Sequence, residues 1–158
     1  MMLTIKDKWI SFGGNAAIVT SSSLILGMDA ASSSSQSIVS AILMFALADN
    51  LTDSLSVHTY QEAERLESRE AFLSTIANFV TRLFVALTFI VLVIALPRNW
   101  LAITAGVWGL LLLVLLTWRL AHARGANIMK EICKHIGVAI IVIGLSRSLG
   151  AWVAETFS

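Results

Sequence analysis

Long apolar stretches separated by short polar turns dominate the chain. Two of them, residues 72–96 and 100–120, contain the roughly 20 mostly apolar residues that a membrane-spanning helix needs. A third stretch runs from about residue 132 to 153. Small residues allow helices to approach closely, and this third stretch offers Gly137, Gly144 and Gly150 for that purpose.

Two stretches upstream, residues 13–31 and 38–65, are richer in Ser, Thr, Asn and Asp. They can cross a bilayer only if these side chains face protein or water, because lipid offers no hydrogen-bond partners. The turn at 32–36 is short, which predicts a hairpin. Pro97 predicts a second hairpin, because proline removes a backbone donor and disfavours helix just before it.

These patterns predict an all-α integral membrane protein with five transmembrane helices in one membrane domain, residues 1–158. Of all residues, 57% are hydrophobic and only 13% are charged, which lies outside the range of soluble proteins. The net charge is +1 without a basic tract, so we expect no nucleic-acid partner. The one cysteine excludes an intrachain disulfide.

The basic residues predict the orientation in the membrane. Positive charge collects on the cytoplasmic side, and eight of the eleven Lys and Arg residues fall on the side of the N-terminus, against Arg98 alone on the other. We therefore expect a cytoplasmic N-terminus and an external C-terminus. The eight are Lys6, Lys8, Arg65, Arg69, Arg119, Arg124, Lys130 and Lys134.

Asp49 and Asp53 lie four residues apart in the second stretch, so both carboxylates project from one helix face. Paired oxygen ligands suit a divalent cation, and cation binding to deprotonated ligands couples to proton release. Carboxylates inside a membrane span are functional candidates by default, because they are costly to bury. The alternatives are that they are helix-end residues at an interface, or that they pair with Arg82 or Arg147 inside the bundle.

His58 and Glu62 form a second pair at the same spacing. An imidazole and a carboxylate suit Fe, Mn or Zn, which predicts a metal pair near the cytoplasmic boundary. The alternative is a solvated helix end, because the charged residues of 60–70 predict that the second span continues as a charged helix into the cytoplasm.

The polar side chains of the first two spans are candidates to line a pathway. Hydroxyls can also bond back to helix carbonyls without any function, and small residues also suit a dimer seam. The candidates for lining are Asn15, Ser22, Ser56 and Gln61. The chain has no nucleophile elbow, phosphate loop or His-Glu-x-x-His motif, so we expect no enzyme activity.

The run from Gly13 to Gly27 resembles the first-helix signature of the vacuolar iron transporter family, also called the CCC1-like family. The run from Ala48 to Glu64 resembles the second-helix stretch of the same family. Together these runs cover about the first seventy residues. The remaining three spans agree in number, spacing and orientation only.

The resemblance implies a five-helix protomer that forms a homodimer, with a pathway between the first helices. It also implies export of Fe2+ or Mn2+ from the cytoplasm in exchange for protons, with no resident cofactor, in a prokaryotic cytoplasmic membrane. Asn15, Asp53 and Ser56 match the family pattern. Three usual metal-contacting residues are replaced: Ala16 stands for Asp, Val57 for Met and Gln61 for Glu.

Two hypotheses follow from these departures. In the first, the metal ligands have moved to Asp49, Asp53, His58 and Glu62, and divalent-cation transport persists. In the second, the chain is a membrane dimer without transport, in a structural or regulatory role. A water-accessible cavity that reaches Asp53 favours the first hypothesis, whereas a closed seam with Asp53 paired to arginine favours the second.

Overall fold

The computed structural model describes residues 5–64 and 68–157, with side chains described at 13–64 and 69–157. This part of the chain consists of helices and short turns, which confirms the all-α prediction. The elements are α1 (Ile5–Ala30), α2 (Ser35–Met44), a π-helical segment (Phe45–Asp49), α3 (Asn50–Ala63), α4 (Ser68–Ala95), α5 (Arg98–Arg124) and α6 (Ile128–Phe157).

Four of the described helices are long and apolar enough to cross a membrane, which identifies an integral membrane protein. They are Ser35–Ala63, Arg69–Ala95, Arg98–Arg124 and Ile128–Phe157. The first of these joins α2, the π-helical segment and α3 into one helix of 29 residues. The 26-residue α1 is of comparable length, and it is not among the four found in the described residues.

Helix α1 lies in the middle of the bundle, where α4, α5 and α6 all pack against it. Ser21, Ser22 and Ser23 are buried, so their hydroxyls face protein instead of lipid. Ser22 donates to the carbonyl of Ile18 at 2.8 Å. These three serines thus meet the condition that their side chains face protein.

The two predicted hairpins are both present. Ser34 caps α2, and its hydroxyl accepts a hydrogen bond from the backbone N–H of Ser37 at 3.1 Å. Pro97 precedes α5, where its missing N–H costs nothing. Arg98 joins the two turns, because it forms an ion pair with Asp29 at 3.2 Å and donates to the Ser33 carbonyl.

The predicted charged extension of the second span is wrong. Helix α3 ends at Ala63, and the N–H of Glu64 caps it by donating to carbonyls of the last turn. A new helix then begins at Ser68, with Glu70 in its first turn, where a carboxylate stabilises the helix N-terminus. Arg65, which belongs to this predicted extension, lies outside the described residues.

Helices α1 and α6 approach each other so closely that their backbones touch. A Cβ added at Gly150 would overlap the carbonyl oxygen of Gly27, and one added at Gly27 would lie 2.9 Å from the carbonyl oxygen of Ser146. The prediction of close packing is therefore confirmed for Gly150. It is wrong for Gly137 and Gly144 within the described chain, because nothing lies within 4 Å of a Cβ added there.

Candidate functional site

Helix α4 presents a row of buried polar side chains to α3. Ser74, Asn78 and Arg82 follow one another at intervals of four residues, and they are 0%, 0% and 4% exposed. With about 3.6 residues per turn, this spacing places the three side chains on one helix face. We call the contact between this face and α3 the polar seam.

Polar groups of α3 meet this row in antiparallel order. Ser74 donates to the side-chain oxygen of Gln61 at 3.0 Å. One turn further along α4, the Asn78 amide donates to Asp53 at 3.3 Å and to the hydroxyl of Ser54 at 3.4 Å. The sequence order of the contacts runs in opposite directions on the two helices, as expected for neighbours that cross the bundle in opposite senses.

Arg82 closes the polar seam at the end opposite to Ser74 and Gln61. Its Nη1 donates to Asp53, and its Nη2 donates to Oδ2 of Asp49 at 2.7 Å. The prediction that Asp49 and Asp53 share a face is therefore confirmed, and the cation between them is the arginine of the neighbouring helix. We call Asp49, Asp53 and Arg82 the acid–arginine cluster.

Exposure differs sharply within the acid–arginine cluster. The Arg82 side chain is 5% exposed, that of Asp53 is 29% exposed and that of Asp49 is 54% exposed. The aromatic ring of Phe45 lies beside the guanidinium, with 5.7 Å between the ring centroid and the guanidinium carbon. A ring face attracts a cation at this range. The cluster is thus closed on the Arg82 side and open on the Asp49 side.

The π-helical segment lies directly before the cluster and ends at Asp49. Such segments are rare and occur often at functional sites. Asn50 follows it, is fully buried, and donates to the carbonyl of Phe79 at 2.9 Å. The segment therefore sets the rotation at which α3 presents Asn50 and Asp53 to α4.

Several buried polar atoms of the cluster's surroundings have no hydrogen-bond partner within the described part of the chain. They are Oδ1 of Asn50, Oδ1 of Asn78 and Nε of Arg82. Gly13 of α1 covers this region, since a Cβ there would overlap Asn78 Oδ1 and lie 3.0 Å from Cγ of Arg82. Only glycine allows α1 to approach the cluster this closely.

His58 and Glu62 contact each other and form a separate pair. The Nε2 atom of His58 lies 3.4 Å from Oε1 of Glu62, and the side chains are 30% and 61% exposed. Among the described residues no three His, Cys, Asp or Glu side chains lie close enough together to hold a metal ion. The four metal candidates therefore stand as two pairs, and a complete metal site needs further ligands.

The four residues predicted to line a pathway do not lie together. Asn15 is half-buried, with its Oδ1 lacking a partner in the described part of the protein. Ser22 and Ser56 each donate to a carbonyl one turn earlier in their own helix, Ser22 while buried and Ser56 while exposed. Gln61 is fully buried in the polar seam.

A groove of about 460 Å³ opens between α1 and α6. Its polar lining residues are Thr20, Ser23 and Ser146, and none of the acid–arginine cluster lines it. Asp53 is thus paired to an arginine and is not reached by this groove. The sequence analysis gave pairing with Arg82 or Arg147 as an alternative to metal binding. The structure shows the pair of Asp53 with Arg82.

Sequence reasoning missed Asn50 and Asn78. The signal for Asn78 was present, because Ser74, Asn78 and Arg82 are polar at a helical spacing inside an otherwise apolar stretch. Comparison of the chain with protein-family models, curated proteins and solved structures gives no match. The resemblance to vacuolar iron transporters therefore stays a prediction.

Proposed function

We propose that this protein is a membrane transporter that exports divalent cations, Fe2+ or Mn2+, from the cytoplasm. The observation that carries the proposal is the position of Asp49, which is 54% exposed near the middle of a 29-residue apolar helix. Contact of a carboxylate with the bilayer centre costs about 2.5–3.5 kcal/mol even on the lowest scales. The helix face with Asp49 therefore belongs against water or a second protein surface.

The acid pair supplies the chemistry for a divalent cation. Asp49 and Asp53 converge on one guanidinium, so their carboxylates are close enough to share a different cation. His58 and Glu62 lie 5 and 9 residues after Asp53 on α3 and offer a second pair for cation intake. Exchange for protons is supported by the family resemblance, and carboxylates must lose protons to hold a metal.

The proposal includes α1 as a fifth span and a homodimer in a prokaryotic cytoplasmic membrane. A central position in the bundle supports α1 as a span, because the surrounding helices shield its serines from lipid. The side of α1 that borders the 460 Å³ groove supplies a surface for the second protomer. Five spans place the two termini on opposite sides of the membrane. The excess of Lys and Arg on the side of the N-terminus supports a cytoplasmic N-terminus and an external C-terminus.

Cys133 allows a test of this orientation, because it is exposed near the start of α6 and is the one cysteine of the chain. We expect a membrane-impermeant maleimide to label Cys133 from the cytoplasmic side of inside-out vesicles. Labelling from the outside of intact cells would contradict the proposed orientation. A Cys133→Ser variant measures background labelling.

A second candidate function is a membrane dimer without transport. It is favoured by the pairing of both acids with Arg82, and by the lack of a three-ligand metal group among the described residues. In this role the polar seam fixes how α3 packs on α4. The carboxylates then serve folding and specificity instead of cation binding.

Flux in proteoliposomes separates the two candidates. Fe2+ and Mn2+ uptake is measured with and without a pH gradient for wild type and for Asp53→Asn. Glu155→Gln is the matched control, because Glu155 is an acid near the end of α6 and far along the chain from the cluster. We expect gradient-coupled flux in wild type and in the control, and its loss in Asp53→Asn.

Absence of flux for either metal in folded wild-type protein would contradict the transport proposal. Size-exclusion chromatography and circular dichroism establish that each variant is folded. Flux that survives unchanged in Asp53→Asn would keep transport but remove Asp53 from the site.

A further inference from the structure

The carboxylates of Asp49 and Asp53 already bind a cationic group of the protein itself, the guanidinium of Arg82. Arg82 donates one guanidinium nitrogen to each carboxylate, and its side chain is 5% exposed. Charge-assisted bonds from a guanidinium to carboxylates are among the stronger polar contacts in proteins. An incoming cation therefore meets carboxylates that are occupied.

The two carboxylates that Arg82 contacts differ in exposure and in their other hydrogen bonds. Asp53 is 29% exposed and also accepts a hydrogen bond from Asn78, which is fully buried. Asp49 is 54% exposed, and Arg82 is its one side-chain partner within the described contacts. The bond between Arg82 and Asp49 is the one that solvent or an incoming ion reaches first.

The charge of the cluster decides whether a divalent cation can join Arg82 or must replace it. Two carboxylates and one guanidinium carry a net charge of −1, so a divalent cation added to them would leave +1. Without the guanidinium, the same cation would leave the cluster neutral. The guanidinium nitrogens occupy the carboxylate oxygens between which the divalent cation would bind, and the two cations repel each other at that distance, so they exclude each other.

We propose that Arg82 is a built-in competitor that determines whether the acid pair is available to a divalent cation. The cation first displaces the guanidinium from Asp49 and then from Asp53. Phe45 gives the released guanidinium a second partner, since its ring already lies 5.7 Å away.

This inference rests on the proposed function, because it takes Asp49 and Asp53 as the cation site. It adds Arg82 as a residue that determines specificity, although Arg82 lies outside the spacing of Asp49 and Asp53 on which the proposed site is based. A purely structural role for Arg82 predicts that its removal weakens cation binding or leaves it unchanged. A competitor predicts the opposite direction.

Mn2+ binding to the full-length protein in nanodiscs tests the direction, with free Mn2+ measured by electron paramagnetic resonance. We expect Arg82→Gln to bind Mn2+ about 10-fold more tightly than wild type, within the usual range of coupling between sites. Arg82→Lys keeps the charge but loses the planar fork that reaches both carboxylates, so we expect an intermediate affinity.

If Arg82→Gln does not fold, a second pair of variants still tests the proposal. Asp53→Asn with Arg82→Gln removes both members of the buried pair at once and leaves no unpaired buried charge. We expect this double variant to bind Mn2+ more tightly than Asp53→Asn alone, because Asp49 is then free of the guanidinium.

The outcomes separate the two proposals. Mn2+ binding to wild type that is weakened by Asp49→Asn but not tightened by either Arg82 replacement would overturn the competitor and keep the cation site. Absence of Mn2+ binding in folded wild type and in all folded Arg82 variants would overturn the cation site itself, and with it the proposed function.

Discussion

Two helix contacts of this protein are built on opposite principles. The polar seam between α3 and α4 is held by side chains, with Arg82 bonded to Asp49 and Asp53. The contact between α1 and α6 depends on residues that have no side chain, because Gly27 and Gly150 allow the two backbones to pack directly against each other. Both solutions suit a membrane, where lipid removes the hydrophobic advantage of burying apolar side chains against each other.

The difference teaches where each contact tolerates change. A seam of polar side chains fails when one partner is removed, because the other is left unpaired in an apolar setting. A backbone contact fails when an atom is added, because neither helix can yield by rotating a side chain. Three substitutions test this distinction, in order of decreasing expected effect.

Removal of the guanidinium gives the largest expected loss. Arg82→Gln leaves two carboxylates without their cation, and because these are 29% and 54% exposed we expect a loss near the lower end of the range for a broken buried ion pair, about 3 kcal/mol. Arg147→Gln is the control, because Arg147 is exposed and forms no ion pair among the described contacts; we expect its effect to stay within about 0.5 kcal/mol. Thermal unfolding in detergent measures both. Equal losses in the two variants would contradict the account of the polar seam.

Addition of one methyl group to the α1–α6 contact gives an intermediate loss. In Gly150→Ala the new Cβ overlaps the Gly27 carbonyl oxygen, so we expect a loss of about 1–3 kcal/mol from overpacking. Gly144→Ala adds the same atom to the same helix with nothing within 4 Å, so only the helix preference of alanine, about 1 kcal/mol in its favour, applies. Unfolding curves that shift equally for both would refute the close contact.

Replacement of the amide in the polar seam gives the smallest loss. Asn78→Leu removes the long hydrogen bonds to Asp53 at 3.3 Å and Ser54 at 3.4 Å, but it also removes a buried oxygen that has no donor in the described part of the chain. We expect a net loss of about 1 kcal/mol, well below that of Arg82→Gln. Asn99→Leu, at an exposed position, is the control. A loss as large as that of Arg82→Gln would mean that Asn78 holds the seam.

Much of this architecture could be predicted from local sequence. Apolar stretches predicted five membrane helices, because a helix satisfies its own backbone hydrogen bonds in lipid, and four of the described helices are long and apolar enough to be spans. Pro97 and the serines at 32–35 marked the hairpins, since turn chemistry is local. The four-residue spacing placed Asp49 and Asp53 on one face, since helix geometry fixes that relation within one element. The end of α3 at Ala63 was missed, because charged residues suit both a helix and a turn.

The tertiary structure alone decided which partners these elements meet. The sequence offered Arg82 and Arg147 equally as partners for the acids, and packing selected Arg82 by aligning α4 with α3. Ser146 packs on Gly27, near the end of α1, so the adjacent Arg147 belongs to a different level of the bundle. Periodicity defines which residues share a helix face, but the rotation and neighbours of each face depend on contacts between helices distant in sequence. For that reason the sequence determined the helices and the acid pair, and the fold determined the arginine that occupies it.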